Sequence, residues 1–196
     1  MTTVGVLALQ GDFREHLAVL ARIGVAGREV RTRDELAEVE ALVIPGGEST
    51  TIGRLATIYG LLEPLRGRIA AGMPTLGTCA GMIFLASATT GFEQPQLGVL
   101  DVVVQRNAFG RQVDSFEAEL RIDGIPEAMH AVFIRAPWIT KVGAGVDVLA
   151  GVDDPAGGDP RPVFVRQGNI LATSFHPELT RDTRVHEMLL ATVEEG

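Results

Sequence analysis

The chain has 196 residues, 46% of them hydrophobic, which suits one domain spanning 1–196 around a single core. A net charge of −8 with no Lys/Arg cluster argues against a nucleic-acid binder, and the apolar run Val6 to Leu9 is too short for a signal sequence or a membrane span, so a cytoplasmic protein is expected. One cysteine precludes an internal disulfide, and the histidines at 16, 130, 176 and 186 lack zinc-ligand spacing, so neither a metal nor a cofactor is expected.

Val4–Leu9 is a continuous apolar run ending at Gln10-Gly11 and reads as a buried strand. Phe13, Leu17, Leu20 and Ile23 follow at helical spacing. A second strand is expected around Arg28–Arg31, then a short helix over Asp34–Val39 capped by Asp34. Ala41–Ile44 is a third strand, stopped by Pro45-Gly46-Gly47, and Ser49, Thr50 and Thr51 offer caps for a helix to about Tyr59. Leu61–Ala71 continues helically to Gly72. Pro74–Gly77 is a short strand running into Cys79, with a helix from about Ala80 to Ala88. This alternation predicts a parallel sheet with helices on both faces.

The second half reads as mostly antiparallel. Val99–Val104 is apolar and β-branched, and Phe116 to Asp123 alternates apolar with charged residues, as a half-exposed strand does. Ala131–Ile134 and Val146–Val152 add strands, and Asp153–Pro162 is a loop rich in Gly, Pro and Asp. Val163–Val165 and Ile170–Phe175 read as a hairpin through Gln167-Gly168-Asn169, and Asp182–Glu194 as a closing helix.

The strongest local signal is Gly77-Thr78-Cys79-Ala80-Gly81, between a strand and a helix. It is the cysteine version of the nucleophile elbow, in which a sharp turn exposes the reactive atom and glycines admit close backbone approach. The following helix N-terminus favours negative charge at the sulfur. By itself the frame fits a buried structural cysteine equally well.

A nucleophilic thiol needs a proton carrier. His176 lies 97 residues downstream in Ser174-Phe175-His176-Pro177-Glu178, just past a strand. Strand C-termini of a parallel sheet collect on one edge, so Cys79 and His176 can meet there. Glu178 is placed to orient the imidazole. Pro45-Gly46-Gly47-Glu48-Ser49-Thr50 can present backbone N–H groups to an oxyanion, with Gly47 and Ala80 as donors. Arg106 or Arg135 could bind an α-carboxylate. His16 is expected to be structural or at the surface, and Trp138 to serve packing or an interface.

With these motifs the chain resembles the class I triad glutamine amidotransferases. The segments Gly5–Gly11, Pro45–Thr51, Arg106–Glu117, Phe133–Pro137 and Ser174–Leu179 further resemble the glutaminase subunits of pyridoxal 5'-phosphate synthase, over nearly the whole chain. That resemblance implies a flavodoxin-like three-layer α/β fold, a mostly parallel central sheet with an antiparallel extension. It implies hydrolysis of L-glutamine to L-glutamate and ammonia by the triad Cys79, His176 and Glu178. It assigns glutamine contacts to Gly47, Glu48, Ser49, Arg106, Ile134 and Arg135. The implied partner is a (β/α)8-barrel synthase subunit, up to twelve of each per assembly. That partner joins the ammonia with ribose 5-phosphate and glyceraldehyde 3-phosphate. The loop Asp153–Arg161 is longer and richer in Gly and Pro than the family pattern.

Overall fold

A computed structural model describes residues 2–106, 115–154 and 157–194. In chain order the strands are β1 (Thr3–Leu7), β2 (Ala26–Val30), β3 (Ala41–Ile44), β4 (Thr75–Thr78), β5 (Ala86–Thr90), β6 (Leu100–Gln105), β7 (Ser115–Leu120), β8 (Met129–Ile134), β9 (Trp138–Val142), β10 (Asp147–Val152), β11 (Arg161–Gln167) and β12 (Ile170–Thr173). The helices are α1 (Phe13–Arg22), α2 (Arg33–Ala37), α3 (Ser49–Ile58), α4 (Leu62–Ala70), α5 (Ala80–Leu85) and α6 (Arg184–Glu194), with a 3-10 turn at Pro177–Leu179.

The central sheet runs β10-β11-β12-β4-β3-β1-β2. From β12 to β2 every pairing is parallel, while β10, β11 and β12 pair antiparallel. This is the expected flavodoxin-like sheet with its antiparallel extension. A parallel sheet is apolar on both faces and must be covered on both. Within β3, Leu42 and Ile44 pack into one core with α2, α3, α4, α5 and the small sheet β5-β6-β9. Ala41 and Val43 pack into the other with α1, α6 and the β7-β8 hairpin.

Several boundaries differ from expectation, each for a local reason. Thr32, not Asp34, caps α2, through a capping box with Glu35. Glu48, not Ser49, caps α3, its carboxylate accepting from the Thr50 and Thr51 amides. The helix after Cys79 stops at Leu85, and Ala86–Thr90 pairs with β6 instead. The Leu97 and Val99 amides take the Phe84 and Leu85 carbonyls, ending the helical ladder there. Trp138–Val142 forms an unforeseen strand on β6. Trp138 itself is buried, with the Arg161 guanidinium 4.3 Å above its ring.

Four parallel strands, β1, β3, β4 and β12, lie side by side at the centre of the sheet. The segments that follow them, Gln10–Asp12, Pro45–Glu48, Cys79 and Ser174–His176, therefore emerge on one edge.

Candidate active site

Cys79 leaves β4 and opens α5 at φ 49° and ψ −103°. A residue with a Cβ rarely adopts a positive φ, and the strain is worth about 1–3 kcal/mol. Strand β12 and the first turn of α5 hold it: the Cys79 N–H donates to the Thr173 carbonyl at 2.7 Å, and the Cys79 carbonyl accepts from Ile83 N–H at 3.2 Å. Gly81 lets the turn press onto β3, since a Cβ there would lie 2.1 Å from the Ile44 carbonyl oxygen.

The chain passes from β12 to His176, whose N–H donates to the Val132 carbonyl at 2.9 Å. His176 Nδ1 lies 2.7 Å from Glu178 Oε1, and both residues are buried. Burial disfavours a charged imidazole, but the neighbouring Cys79 and the hydrogen-bonded Glu178 outweigh it and push His176 up to about 10. Burial raises the Glu178 carboxyl, opposed by the bond from His176. Gly46 is packed onto the imidazole: a Cβ there would stand 2.4 Å from His176 Cε1. Asp12, His176 and Glu178 bring potential metal-ligating atoms within 4.8 Å of one another, but Glu178 already engages the Nδ1 that such a site would use.

These residues face a cavity of about 400 Å³ whose walls include Gly47, Glu48, Ser49, Cys79, Ala80, Arg106, Ile134, Arg135 and His176. The structure thus gathers the sequence-predicted site, with Glu178 behind His176 rather than at the surface of the cavity. The turn between β3 and α3 is held open at a defined shape. The Gly46 carbonyl accepts from Asp12 N–H at 3.1 Å, and Glu48 N–H donates to Gln10 Oε1 at 2.7 Å. Arg106 reaches Glu48 Oε1 at 3.0 Å and Thr50 Oγ1 at 3.1 Å, with its guanidinium 4.8 Å over the Phe92 ring. Burial opposes ionisation of Glu48. Bonds from the Thr51 hydroxyl and the Thr51 and Thr50 amides, with Arg106 alongside, nevertheless hold it at about 2. The Ser49 hydroxyl donates to Gln94 Oε1 at 2.9 Å. The rest of the Arg106–Glu117 motif, residues 107–114, lies outside the described residues.

Sequence reasoning missed part of the site. Gln10, Asp12 and Ile83 also line the cavity. Ile83 stands four residues after Cys79, one helical turn on, which was the available signal. His16 is fully buried and lies next to His186, from which it is 170 positions away in sequence. Both histidines keep company with core residues at helical spacing, His16 with Leu20 and His186 with Leu189, and that pattern marks them as inward-facing.

Comparison with known proteins gives the family and the fold. A model of the SNO glutamine amidotransferase family matches residues 6–195. The pyridoxal 5'-phosphate synthase subunit PdxT of Parafrankia sp. is 58% identical over 193 residues, covering 97% of this chain and 92% of its own. The protein of the same name from Thermus thermophilus is 56% identical over 189 residues, covering 95% of each chain. A crystal structure titled as a glutamine amidotransferase superposes with a TM-score of 0.91 at 52% identity, over 97% of this chain and 98% of that one.

Proposed function

The chain belongs to the SNO glutamine amidotransferase family, and we propose that it is the glutaminase subunit of a pyridoxal 5'-phosphate synthase. It hydrolyses L-glutamine to L-glutamate and passes the ammonia to a synthase subunit. The observation that carries this reading is the strained Cys79 at the strand-to-helix turn, facing one cavity with a His176 that a buried Glu178 holds at 2.7 Å.

Glutamine enters the cavity with its side-chain amide carbon at Cys79 Sγ. Glu48 and Arg106, with Ser49, Ile134 and Arg135, form the wall that holds the amino-acid end. The thiolate attacks, with the proton held on His176, and charge collects on the amide oxygen against the Gly47 and Ala80 amides. His176 gives its proton to the leaving nitrogen, and ammonia departs. Water, deprotonated by His176, then cleaves the γ-glutamyl thioester to glutamate and free Cys79. No step needs a metal or a cofactor.

Released ammonia is protonated or diluted in bulk water, so the synthase subunit must receive it directly. We take that partner to be a (β/α)8 barrel, in an assembly of up to twelve of each subunit. The turn at Gly46-Gly47 is the natural control point, because Gly47 sits at φ 150° and its peptide can reorient. The chain is read as one glutaminase domain, 1–196, because strands from both ends, β1 and β12, share the central sheet. Among the described residues no helix is long and apolar enough to cross a membrane. A single free cysteine that must stay reduced suits the cytoplasm.

The test is glutamine hydrolysis with and without the synthase subunit, measuring glutamate and pyridoxal phosphate together. Low turnover alone, strong stimulation by the partner and loss in Cys79→Ser are expected. Near wild-type turnover in Cys79→Ser would refute the assignment.

A further inference from the structure

Behind Glu178, away from the cavity, His16 on α1, His186 on α6 and Thr78 on β4 are sealed from solvent at 0% exposure. His16 Nδ1 lies 2.9 Å from His186 Nε2. His16 Nε2 lies 3.2 Å from Thr78 Oγ1 and 3.5 Å from Glu178 Oε2. Among the described residues, Glu178 Oε2 and His186 Nδ1 have no hydrogen-bond partner.

These facts place the protons. Burial, first, holds both imidazoles below the ordinary histidine range, assisted by His186 and His176 at His16 and by Arg22 at His186. Each neutral ring carries one N–H. If His186 carried its proton on Nδ1, that buried donor would be orphaned. His186 Nε2 would then accept from His16 Nδ1–H, and the bare lone pair of His16 Nε2 would face the Glu178 carboxylate. The opposite arrangement removes both conflicts. His186 Nε2–H donates to His16 Nδ1, and His16 Nε2–H points at Thr78 Oγ1 and Glu178 Oε2. Only a bare acceptor at His186 Nδ1 is left over, and buried acceptors without partners are better tolerated than orphaned N–H donors.

We infer that His16 is a positioning residue for the triad: its Nε2–H, set by His186, braces the far oxygen of Glu178 so that the near oxygen stays aimed at His176. The inference rests on the reading of Cys79, His176 and Glu178 as a glutaminase triad. At 3.5 Å the contact is longer than an ordinary hydrogen bond. What His16 supplies is the positive edge of a polarised N–H, which opposes the tendency of burial to neutralise Glu178. The titratable groups around it are His186 on α6 and His176 and Glu178 at the 3-10 turn, with Asp12 and Arg22 beyond.

Nitrogen-15 NMR of the full-length chain at neutral pH reads the tautomers directly. Nε2–H forms are expected at both His16 and His186, and an Nδ1–H at His16 overturns the inference. Kinetics in the complex with the synthase subunit give a second reading. His16→Leu is expected to lower kcat about tenfold at unchanged KM, below the roughly 10²–10⁴-fold of a group that itself transfers the proton. It should also move the acid limb of kcat/KM to higher pH, because Glu178 loses a neighbour that favours its charge. His16→Gln, which restores an N–H near the same place, is expected to return kcat to within roughly threefold of wild type and the acid limb to its original position. Equal loss in both variants with an unmoved limb means a packing role only and overturns the inference. If His16→Leu does not fold, the tautomer measurement decides alone. Turnover that persists in Cys79→Ala sinks the triad reading, and this inference with it. Cys79-dependent turnover alongside a His16 Nδ1–H sinks the inference alone.

Discussion

His176 and the His16–His186 pair lie on opposite sides of one carboxylate, and they are driven to opposite charge states. His176 is raised to about 10, while His186 is lowered to about 4 and His16 is lowered as well. Exposure does not separate them, because His176 is 4% exposed and the other two 0%. Their partners do. His176 sits between Cys79 and Glu178, both of which favour an imidazolium. His16 also approaches Glu178, but its nearer contacts are a neutral hydroxyl and a second imidazole whose charge would repel its own. Burial sets the penalty for charge in this region, and the choice of partner decides whether the penalty is overcome. The partners on the cavity side of Glu178 therefore favour a charged ring, and those on the sealed side favour neutral ones.

The largest expected effect comes from removing the thiol. Cys79→Ala should reduce glutamine hydrolysis in the complex by at least about 10³-fold, read as glutamate release. It should also lower the titration midpoint of His176 in an NMR titration, since a neighbour that favours its charge is gone while Glu178 and Asp12 remain. A midpoint that stays at its wild-type value would contradict the pairing. Glu178→Gln comes next, with kcat down roughly 10²–10⁴-fold, because the imidazole loses the group that orients it and favours its charge. His176 should titrate lower again, while His16 and His186 remain neutral. A charged His16 in that variant would break the contrast between the two sides.

Stability against pH should show the same opposition with the sign visible. His186 is lowered from 6.5 to about 4, so between those values the unfolded chain binds a proton that the folded one refuses. Its contribution is full above pH 6.5 and falls by about 3 kcal/mol as pH drops through 4, with His16 acting in the same direction. His176 acts the other way: its contribution is full below pH 6.5 and is lost as pH rises through about 10. Urea unfolding across this range, for wild type and His186→Leu, should show the acid-side loss shrink in the variant and the alkaline-side loss persist. The smallest effect is expected at the cavity wall. Arg106→Gln should raise KM for glutamine about tenfold through loss of a charge-assisted contact, with kcat little changed. Both histidine environments should stay as they are, and an altered His176 midpoint there would show that the wall and the triad are coupled.

Much of the site was legible because its chemistry is written in short frames. Gly77–Gly81 and Ser174–Glu178 each place a reactive side chain directly after a strand, and parallel strands bring those ends to one edge. Of the wall residues, Gly47, Arg106 and Arg135 were also read from their own chemistry, while Glu48, Ser49 and Ile134 came from resemblance alone, and the cavity gathers all six. Strand β5 was not legible, because Ala86-Ser87-Ala88 reads as a continuation of the helix after Cys79, and Ala86–Thr90 becomes a strand only by pairing with β6. Strand β9 depended in the same way on a β6 edge to complete.

The sequence by itself marked Cys79, His176 and Glu178 as candidates and predicted the parallel core, since each of those signals lies in residues a few positions apart. Only the tertiary structure decided what lies behind Glu178. His16 and His186 are 170 positions apart, and they meet because α1 and α6 pack on the same face of the sheet. A buried polar group takes whatever partner the docking of its element supplies, and that choice is made by strand order and helix packing rather than by local spacing.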